Sequence, residues 1–238
     1  MADPRDIVLG DGAGSVPGVL AEPAGPHAGG VVVLHEAFGL TSHIRSICGR
    51  LAGAGYLAVA PALFHRQGAP VLGYDQFDRA RPLLGGLRAG QIASDTDAAL
   101  ALLAARGIAA GRRAAVGFCM GGSIALIMAT RAGLGAAVTF YGGGVGQGRF
   151  GYPPLADAAA SLRVPWLGLF GDLDQSIPVP DVERLAQQAA RAPVPTEVVR
   201  YPDAGHGFHC DERGSYAPAA AADAWSRTLA WLVTYLTG

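Results

Sequence analysis

The chain has 238 residues, 50% of them hydrophobic and 16% charged, a composition typical of a globular protein and unlike that of a disordered one. Its 18 basic and 19 acidic residues give a net charge of −1. This balance provides no electrostatic attraction for nucleic acid or for an anionic membrane surface, so we expect neither as a partner.

Short apolar runs bounded by Gly or Pro alternate with segments of helical spacing along the chain. Two segments near the start, Ile7–Leu9 and Val16–Leu20, could form an edge hairpin. The runs that predict buried parallel strands are Val31–His35, Leu57–Pro61, Ala114–Phe118, Ala136–Tyr141, Trp166–Phe170 and Thr196–Tyr201. The segments that predict helices are Ser42–Ala54, Ile92–Arg106, Met120–Arg131, Asp181–Ala190 and Ala217–Leu236.

This alternation predicts an α/β fold of the α/β-hydrolase kind, with a mostly parallel central sheet and helices on both faces. No linker or internal repeat divides the chain, so we expect a single domain over residues 1–238. The segment Phe64–Gly90 fits neither pattern. A long connection at that point would cross the C-terminal edge of the sheet, where α/β ligand sites form, and it could be a lid or a plain loop.

The cysteine content and the first residues indicate a reducing compartment. The three cysteines, Cys48, Cys119 and Cys210, are odd in number and widely spaced, which argues against a disulfide framework. Residues 1–14 carry three aspartates and an arginine and have no apolar stretch, unlike a signal peptide. The charge-free stretch Ala114–Thr130 is too short to span a membrane. We therefore expect a cytoplasmic protein.

The motif Gly117–Gly122 (GFCMGG) connects a predicted strand to a predicted helix, as a nucleophile elbow of the form G-x-[S/C]-x-G does. The glycines allow the tight turn that exposes the side chain of Cys119. At a helix N-terminus the dipole favours a thiolate, and the N–H of Met120 is available to an oxyanion. The alternative is a buried structural cysteine in a glycine-rich turn.

Two later residues have the chain order and the strand-end positions of the other members of a catalytic triad. Asp174 follows the strand Trp166–Phe170, and His206 follows the strand Thr196–Tyr201. The histidine would take the thiol proton and the carboxylate would hold its tautomer. Asp172 and Asp203 are weaker candidates for the acid, and His206 could instead be an ordinary hydrogen-bonded loop histidine.

A second loop, His35–Gly39 (HEAFG), follows the first buried strand directly. The N–H of Ala37 would be the second oxyanion donor. Glu36, beside a cysteine, could accept the thiol proton and couple thiolate formation to the arrival of substrate. The alternatives for Glu36 are a solvated loop carboxylate and a helix cap.

With these motifs together, the chain resembles the dienelactone hydrolase family (carboxymethylenebutenolidases). The resemblance rests on the motifs at 35–39, 117–122, 171–178 and 204–208, in that order, and extends over nearly the whole chain. It implies an α/β-hydrolase fold, no cofactor, and hydrolysis of enol-lactones or related esters. It also implies that Cys119, Asp174 and His206 form the triad and that Glu36 primes the thiol.

The chain departs from the family at one substrate-binding position. Family members that degrade dienelactone carry an arginine four residues after the histidine, where this chain has Cys210. The family's other substrate-binding arginine corresponds to Arg79 or Arg81. Phe38 and Tyr141 are expected to line the pocket. The departure leaves the chemistry intact and makes recognition of a substrate carboxylate an open question.

Two further motifs have simpler explanations. His206, His209 and Cys210 lie close in sequence, but their spacing matches no common zinc site, and we expect no metal. The run Gly142–Gly148 lacks the lysine of a phosphate-binding loop and predicts a flexible loop.

These residues together predict a hydrolase that opens a lactone, or a small activated ester, through a thioester on Cys119. A broad-specificity esterase or an acyltransferase would use the same triad. A non-catalytic ligand-binding protein on this fold is the alternative of a different class. The expected partner is a small-molecule lactone or ester, and a monomer is expected because no coiled coil or dimer strip is evident.

Overall fold

The computed structural model describes residues 3–236, which form one eight-stranded sheet. The strands are β1 (Arg5–Leu9), β2 (Val16–Ala21), β3 (Gly29–Leu34), β4 (Tyr56–Pro61), β5 (Arg113–Phe118), β6 (Ala136–Phe140), β7 (Trp166–Gly171) and β8 (Thr196–Tyr201). Their order across the sheet is β1-β2-β4-β3-β5-β6-β7-β8. The pairs β1–β2 and β2–β4 are antiparallel, and all the pairs from β4 to β8 are parallel.

Seven helices connect and cover the strands within the described residues. They are α1 (Ser42–Gly53), α2 (Phe77–Gly86), α3 (Ala89–Ala105), α4 (Met120–Ala129), α5 (Leu155–Ala159), α6 (Val179–Ala189) and α7 (Pro218–Tyr235). Every residue of β3, β4, β6 and β7 is buried, which requires helices on both faces of the sheet. The predicted α/β architecture, including the N-terminal hairpin, is confirmed.

The segment Phe64–Gly90 contains a helix that the sequence reading did not predict. Helix α2 occupies residues 77–86 and has Pro82 inside it and two glycines at its end. A proline in a helix interior removes a backbone hydrogen bond, so the local pattern argued against a helix. Tertiary packing outweighs that cost, because Ala80 is fully buried in a small cluster with Phe38 and Leu72. In residues 3–236, no helix combines the length and apolar character that a membrane crossing requires.

Candidate active site

Cys119 lies between β5 and α4 in a strained backbone conformation, with φ at 54° and ψ at −117°. Such strain in a residue other than glycine is typical of functional sites. The turn also needs its glycines. A Cβ added to Gly117 would lie 1.9 Å from the carbonyl oxygen of Gly121, and one added to Gly121 would lie 2.2 Å from that of Leu34. Residues with side chains cannot replace either glycine without moving the backbone.

His206 and Asp174 are brought together at the C-terminal edge of the sheet. Nδ1 of His206 lies 2.6 Å from Oδ2 of Asp174. The other oxygen, Oδ1, accepts from the backbone N–H of Ser176 at 2.8 Å and from its hydroxyl at 2.7 Å. The carboxylate is therefore fixed on one side and is available to the imidazole on the other.

The contact between Asp174 and His206 stabilises the charged forms of both side chains. Burial opposes the charged form of Asp174, but its hydrogen bonds to His206 and Ser176 outweigh burial and lower the pKa of the carboxyl group. Burial likewise opposes protonation of His206. The neighbouring Cys119 side chain and the Asp174 carboxylate outweigh burial and raise the pKa of His206 to about 10. The geometry thus suits a thiolate–imidazolium pair backed by a carboxylate.

The two other candidate acids are excluded from this role by their surroundings. Asp172 accepts two hydrogen bonds from the guanidinium of Arg200, at 2.7 and 2.9 Å. Asp203 is exposed on the loop before His206. Of the three aspartates, Asp174 is the one that contacts the imidazole.

Two backbone N–H groups flank the turn at Cys119. Those of Met120 and Ala37 donate no hydrogen bond to any acceptor within residues 3–236, and both residues are buried. The close contact of Gly121 with the end of β3 brings the start of α4 against the loop that carries Ala37. This arrangement suits a two-donor oxyanion site.

His35 supports that loop, a role that the sequence reading did not assign. Its Nε2 accepts from the N–H of Leu63 at 3.0 Å, so Nδ1 carries the proton and donates to the carbonyl of Glu36 at 2.6 Å. Burial lowers the pKa of His35 to about 4 and keeps the ring neutral. The motif HEAFG contained this signal, because a histidine directly after a buried strand needs internal hydrogen-bond partners.

Glu36 is buried rather than solvated, and its partner is an arginine that the sequence reading missed. Oε1 of Glu36 lies 3.2 Å from Nη1 of Arg213, while Oε2 has no hydrogen-bond partner within residues 3–236. Arg213 comes from the loop after His206 and passes over Gly207, where an added Cβ would lie 2.4 Å from Nη1. Burial lowers the pKa of Arg213, but Glu36 and neighbouring groups, including Cys119, raise it above the usual value.

The predicted substrate-binding residues separate into two groups. Phe38 and Tyr141 are buried at the site, and the Tyr141 ring centre lies 5.1 Å from that of His206. Arg79 and Arg81 lie on the exposed side of α2, where Arg81 pairs with Asp78 at 3.5 Å. The cation beside Phe38 is instead Arg213, whose guanidinium lies 5.7 Å from the Phe38 ring centre and 5.5 Å from that of Tyr74.

The metal set considered from sequence is not brought together. His209 packs against Trp225 and His43, away from the pair formed by His206 and Asp174. Within the described residues a different group, His43, Cys210 and Asp211, has its potential ligand atoms within 4.8 Å of one another. Burial lowers the pKa of His43 although the nearby carboxylates of Glu36, Asp211 and Glu212 act to raise it.

Comparisons with known proteins show which sequences and folds this chain is similar to. The model of the dienelactone hydrolase family matches residues 16–236. A protein of Salmonella typhimurium, provisionally named carboxymethylenebutenolidase, is 42% identical over 211 residues, which cover 86% of this chain and 77% of that protein. A Bradyrhizobium protein provisionally named 2-oxo-3-(5-oxofuran-2-ylidene)propanoate lactonase is 29% identical over 211 residues, covering 87% and 84%. A crystal structure of a provisionally assigned dienelactone hydrolase from Klebsiella pneumoniae superposes with a TM-score of 0.88 at 36% identity, covering 98% of each chain.

Proposed function

Because the chain belongs to the dienelactone hydrolase family and is therefore a carboxylic ester hydrolase, we propose that it opens a lactone, or cleaves a related activated ester, with Cys119 as nucleophile. The observation that carries this proposal is the strained elbow at Cys119 beside the His206–Asp174 hydrogen bond of 2.6 Å. A sulfur held at a helix N-terminus next to an imidazolium is suited to react as thiolate.

In the first half of the reaction, the Cys119 sulfur forms a bond to the carbonyl carbon, and the carbonyl electrons move to oxygen. The N–H groups of Met120 and Ala37 are the donors for this oxyanion. The oxyanion then collapses, the bond to the leaving oxygen breaks, and His206 gives its proton to that oxygen. A thioester remains on Cys119. In a lactone the leaving oxygen stays tethered to the acyl group.

In the second half, His206 accepts a proton from water as the water attacks the thioester carbonyl. Asp174 holds the imidazole and stabilises its charged form. The carboxylic acid forms and the thiolate leaves. A thiolate is itself a good leaving group, so it is expelled from the first intermediate unless the other oxygen leaves as readily. This chemistry favours enol and phenol esters as substrates.

Glu36 and Arg213 connect this chemistry to substrate binding. A carboxylate on the substrate would compete with Glu36 for the buried guanidinium of Arg213. Glu36, released from that ion pair, could then accept the thiol proton in place of His206, and in that case Glu36 would return the proton to the leaving oxygen. Arg213 would thus replace the family arginine whose position Cys210 occupies. The support for this step is the ion pair of 3.2 Å and the influence of Cys119 on the pKa of Arg213.

The remaining expectations concern the location, the domain organisation and the oligomeric state of the protein. The described cysteines are all unpaired, and Cys48 and Cys210 are buried, which supports a reducing, cytoplasmic location. One sheet that includes strands from both ends of the chain supports a single domain. A monomer acting on a small-molecule substrate, without a cofactor, remains our prediction.

The test compares Cys119→Ala and His206→Ala with the matched control Cys210→Ser on 4-nitrophenyl acetate and on a dienelactone. We expect the first two variants to lose at least about a hundredfold in kcat. The control should keep its hydrolysis of 4-nitrophenyl acetate. Analysis of products with water and with added alcohol separates a hydrolase from an acyltransferase. Wild-type turnover in Cys119→Ala would disprove the proposed nucleophile.

A further inference from the structure

A groove beside the candidate active site carries three arginines that the reaction described above does not use. We call it the arginine groove and define it by Phe77, Arg81, Leu84, Arg88, Arg149 and Phe150. It lies between α2 and the loop that follows β6. Its volume is about 690 Å³, which is large enough for a ligand of drug size.

The positive charge in this groove is poorly compensated. Neither Arg88 nor Arg149 lies within 4 Å of a carboxylate oxygen in residues 3–236. Arg88 donates instead to the backbone carbonyls of Gly85 and Leu87, both at 2.7 Å, and these do not neutralise it. Arg81 has only the exposed Asp78, at 3.5 Å. Because the whole chain has a net charge of −1, this concentration of cations is a local feature.

The loop that carries Arg149 is built around the glycines that sequence reasoning left without a role. A Cβ on Gly143 would lie 3.0 Å from Nη1 of Arg149, and one on Gly144 would lie 3.2 Å from its aliphatic carbons. The arginine therefore rests across two positions that have no side chain. The hydroxyl of Tyr152 donates to the carbonyl of Ala89 at 3.0 Å and ties the loop to the residue after Arg88.

The groove lies next to two loops of the candidate active site. On one side, the Phe77 ring centre lies 6.4 Å from that of Phe38, which follows the oxyanion donor Ala37. On the other side, Gly143 comes two residues after Tyr141, which packs against His206. The groove therefore adjoins the two loops that carry Phe38 and Tyr141, and a substrate arm would have to pass these loops to enter it.

We propose that the arginine groove binds an oxyanion at the far end of the substrate, through Arg88 and Arg149. This inference rests on the proposed function and narrows its substrate class. The substrate would be an ester or lactone with an apolar or aromatic arm that ends in a carboxylate or a phosphate. Phe77, Leu84 and Phe150 are the apolar groups that would contact the arm, and the guanidinium groups would pair with the anion. This anion is separate from the carboxylate that Arg213 would bind beside the sulfur.

The test uses two substrates of equal length that differ in one charge: the 4-nitrophenyl monoester of suberic acid, and the same ester with its far carboxylate methylated. The double variant Arg88→Ala/Arg149→Ala should raise KM for the anionic ester about fivefold to tenfold and leave KM for the neutral ester unchanged. The kcat should stay within about twofold for both, because none of the reacting residues lines the groove. Arg191→Ala, which removes an exposed arginine on another face, is the matched control.

Competitive inhibition by suberate and by hexyl phosphate distinguishes the two possible anions. The inhibition constant of each is measured with the wild type and with the double variant Arg88→Ala/Arg149→Ala, and the anion with the larger increase is the preferred one. The groove proposal is overturned if the double variant keeps the wild-type preference for the anionic ester, or if its KM rises equally for both esters. Calorimetric measurement of suberate binding to Cys119→Ala tests the groove independently of whether Cys119 is the nucleophile. That binding needs no turnover, and we expect it to weaken by the same factor when Arg88 and Arg149 are also replaced.

Discussion

Because the ion pair between Glu36 and Arg213 is buried, the loss of stability on breaking it can be predicted. Glu36 is 1% exposed, and Arg213 supplies its only side-chain hydrogen bond within residues 3–236. The substitution Arg213→Met keeps much of the packing against Phe38 and Tyr74 and leaves the carboxylate buried without a partner. Breaking a buried pair in this way costs about 3–5 kcal/mol. For a chain of this length, the melting temperature should fall by roughly 6–20 °C.

The assay is chemical denaturation of four proteins: wild type, Arg213→Met, Glu36→Gln and the double variant. The double variant should recover most of the lost stability, because removing both charges removes the unpaired one. A dienelactone that carries a carboxylate should show a raised KM with Arg213→Met, whereas 4-nitrophenyl acetate should not. If the free energy of unfolding of Arg213→Met lies within about 1 kcal/mol of the wild-type value, the Glu36 carboxylate has another partner and Arg213 does not hold it.

Three further predictions concern the elbow, the triad and acid stability. Gly121→Ala should destabilise the fold by about 3 kcal/mol or more in denaturation experiments, since its Cβ would meet a backbone oxygen at 2.2 Å; wild-type stability would contradict the elbow geometry. Asp174→Asn should reduce kcat by about two to four orders of magnitude in steady-state assays with little change in stability, and a tenfold loss or less would remove Asp174 from the triad. The free energy of unfolding should fall as the pH drops below about 6.5, by up to about 1.4 kcal/mol per pH unit for each buried neutral histidine. Burial lowers the folded-state pKa of His43, of His35 to about 4 and of His209 to about 3, so the unfolded chain takes up protons first; a flat stability profile between pH 6.5 and 5 would contradict this.

The sequence predicted those parts of the site that lie at the ends of strands and helices. Cys119 directly follows the buried strand β5, and His206 lies in the loop after β8, so their placement at one edge of the sheet followed from topology. The sequence also favoured Asp174 over Asp172, although both follow the same strand. In the structure Asp174 contacts His206, whereas Asp172 contacts Arg200, 28 residues away in the chain.

The parts that sequence reasoning missed depend on long-range contacts between loops. Arg213 lies in an irregular segment with no periodicity, and its partner Glu36 is 177 residues distant. Helix α2 was missed because Pro82 and its glycines weaken the local signal, while its stabilising contact, Ala80 against Phe38, is visible only in three dimensions. Local patterns predict elements well when burial follows a regular spacing, and poorly when one side chain decides the packing.

The most direct test of the central claim is mass spectrometry of the enzyme quenched in acid during turnover of a slow 4-nitrophenyl ester. We expect the mass of the acyl group to be added to the peptide that contains Cys119. The adduct should be released by hydroxylamine and be absent from Cys119→Ala. An acyl group on any other residue, or steady turnover by Cys119→Ala with no adduct, would contradict it.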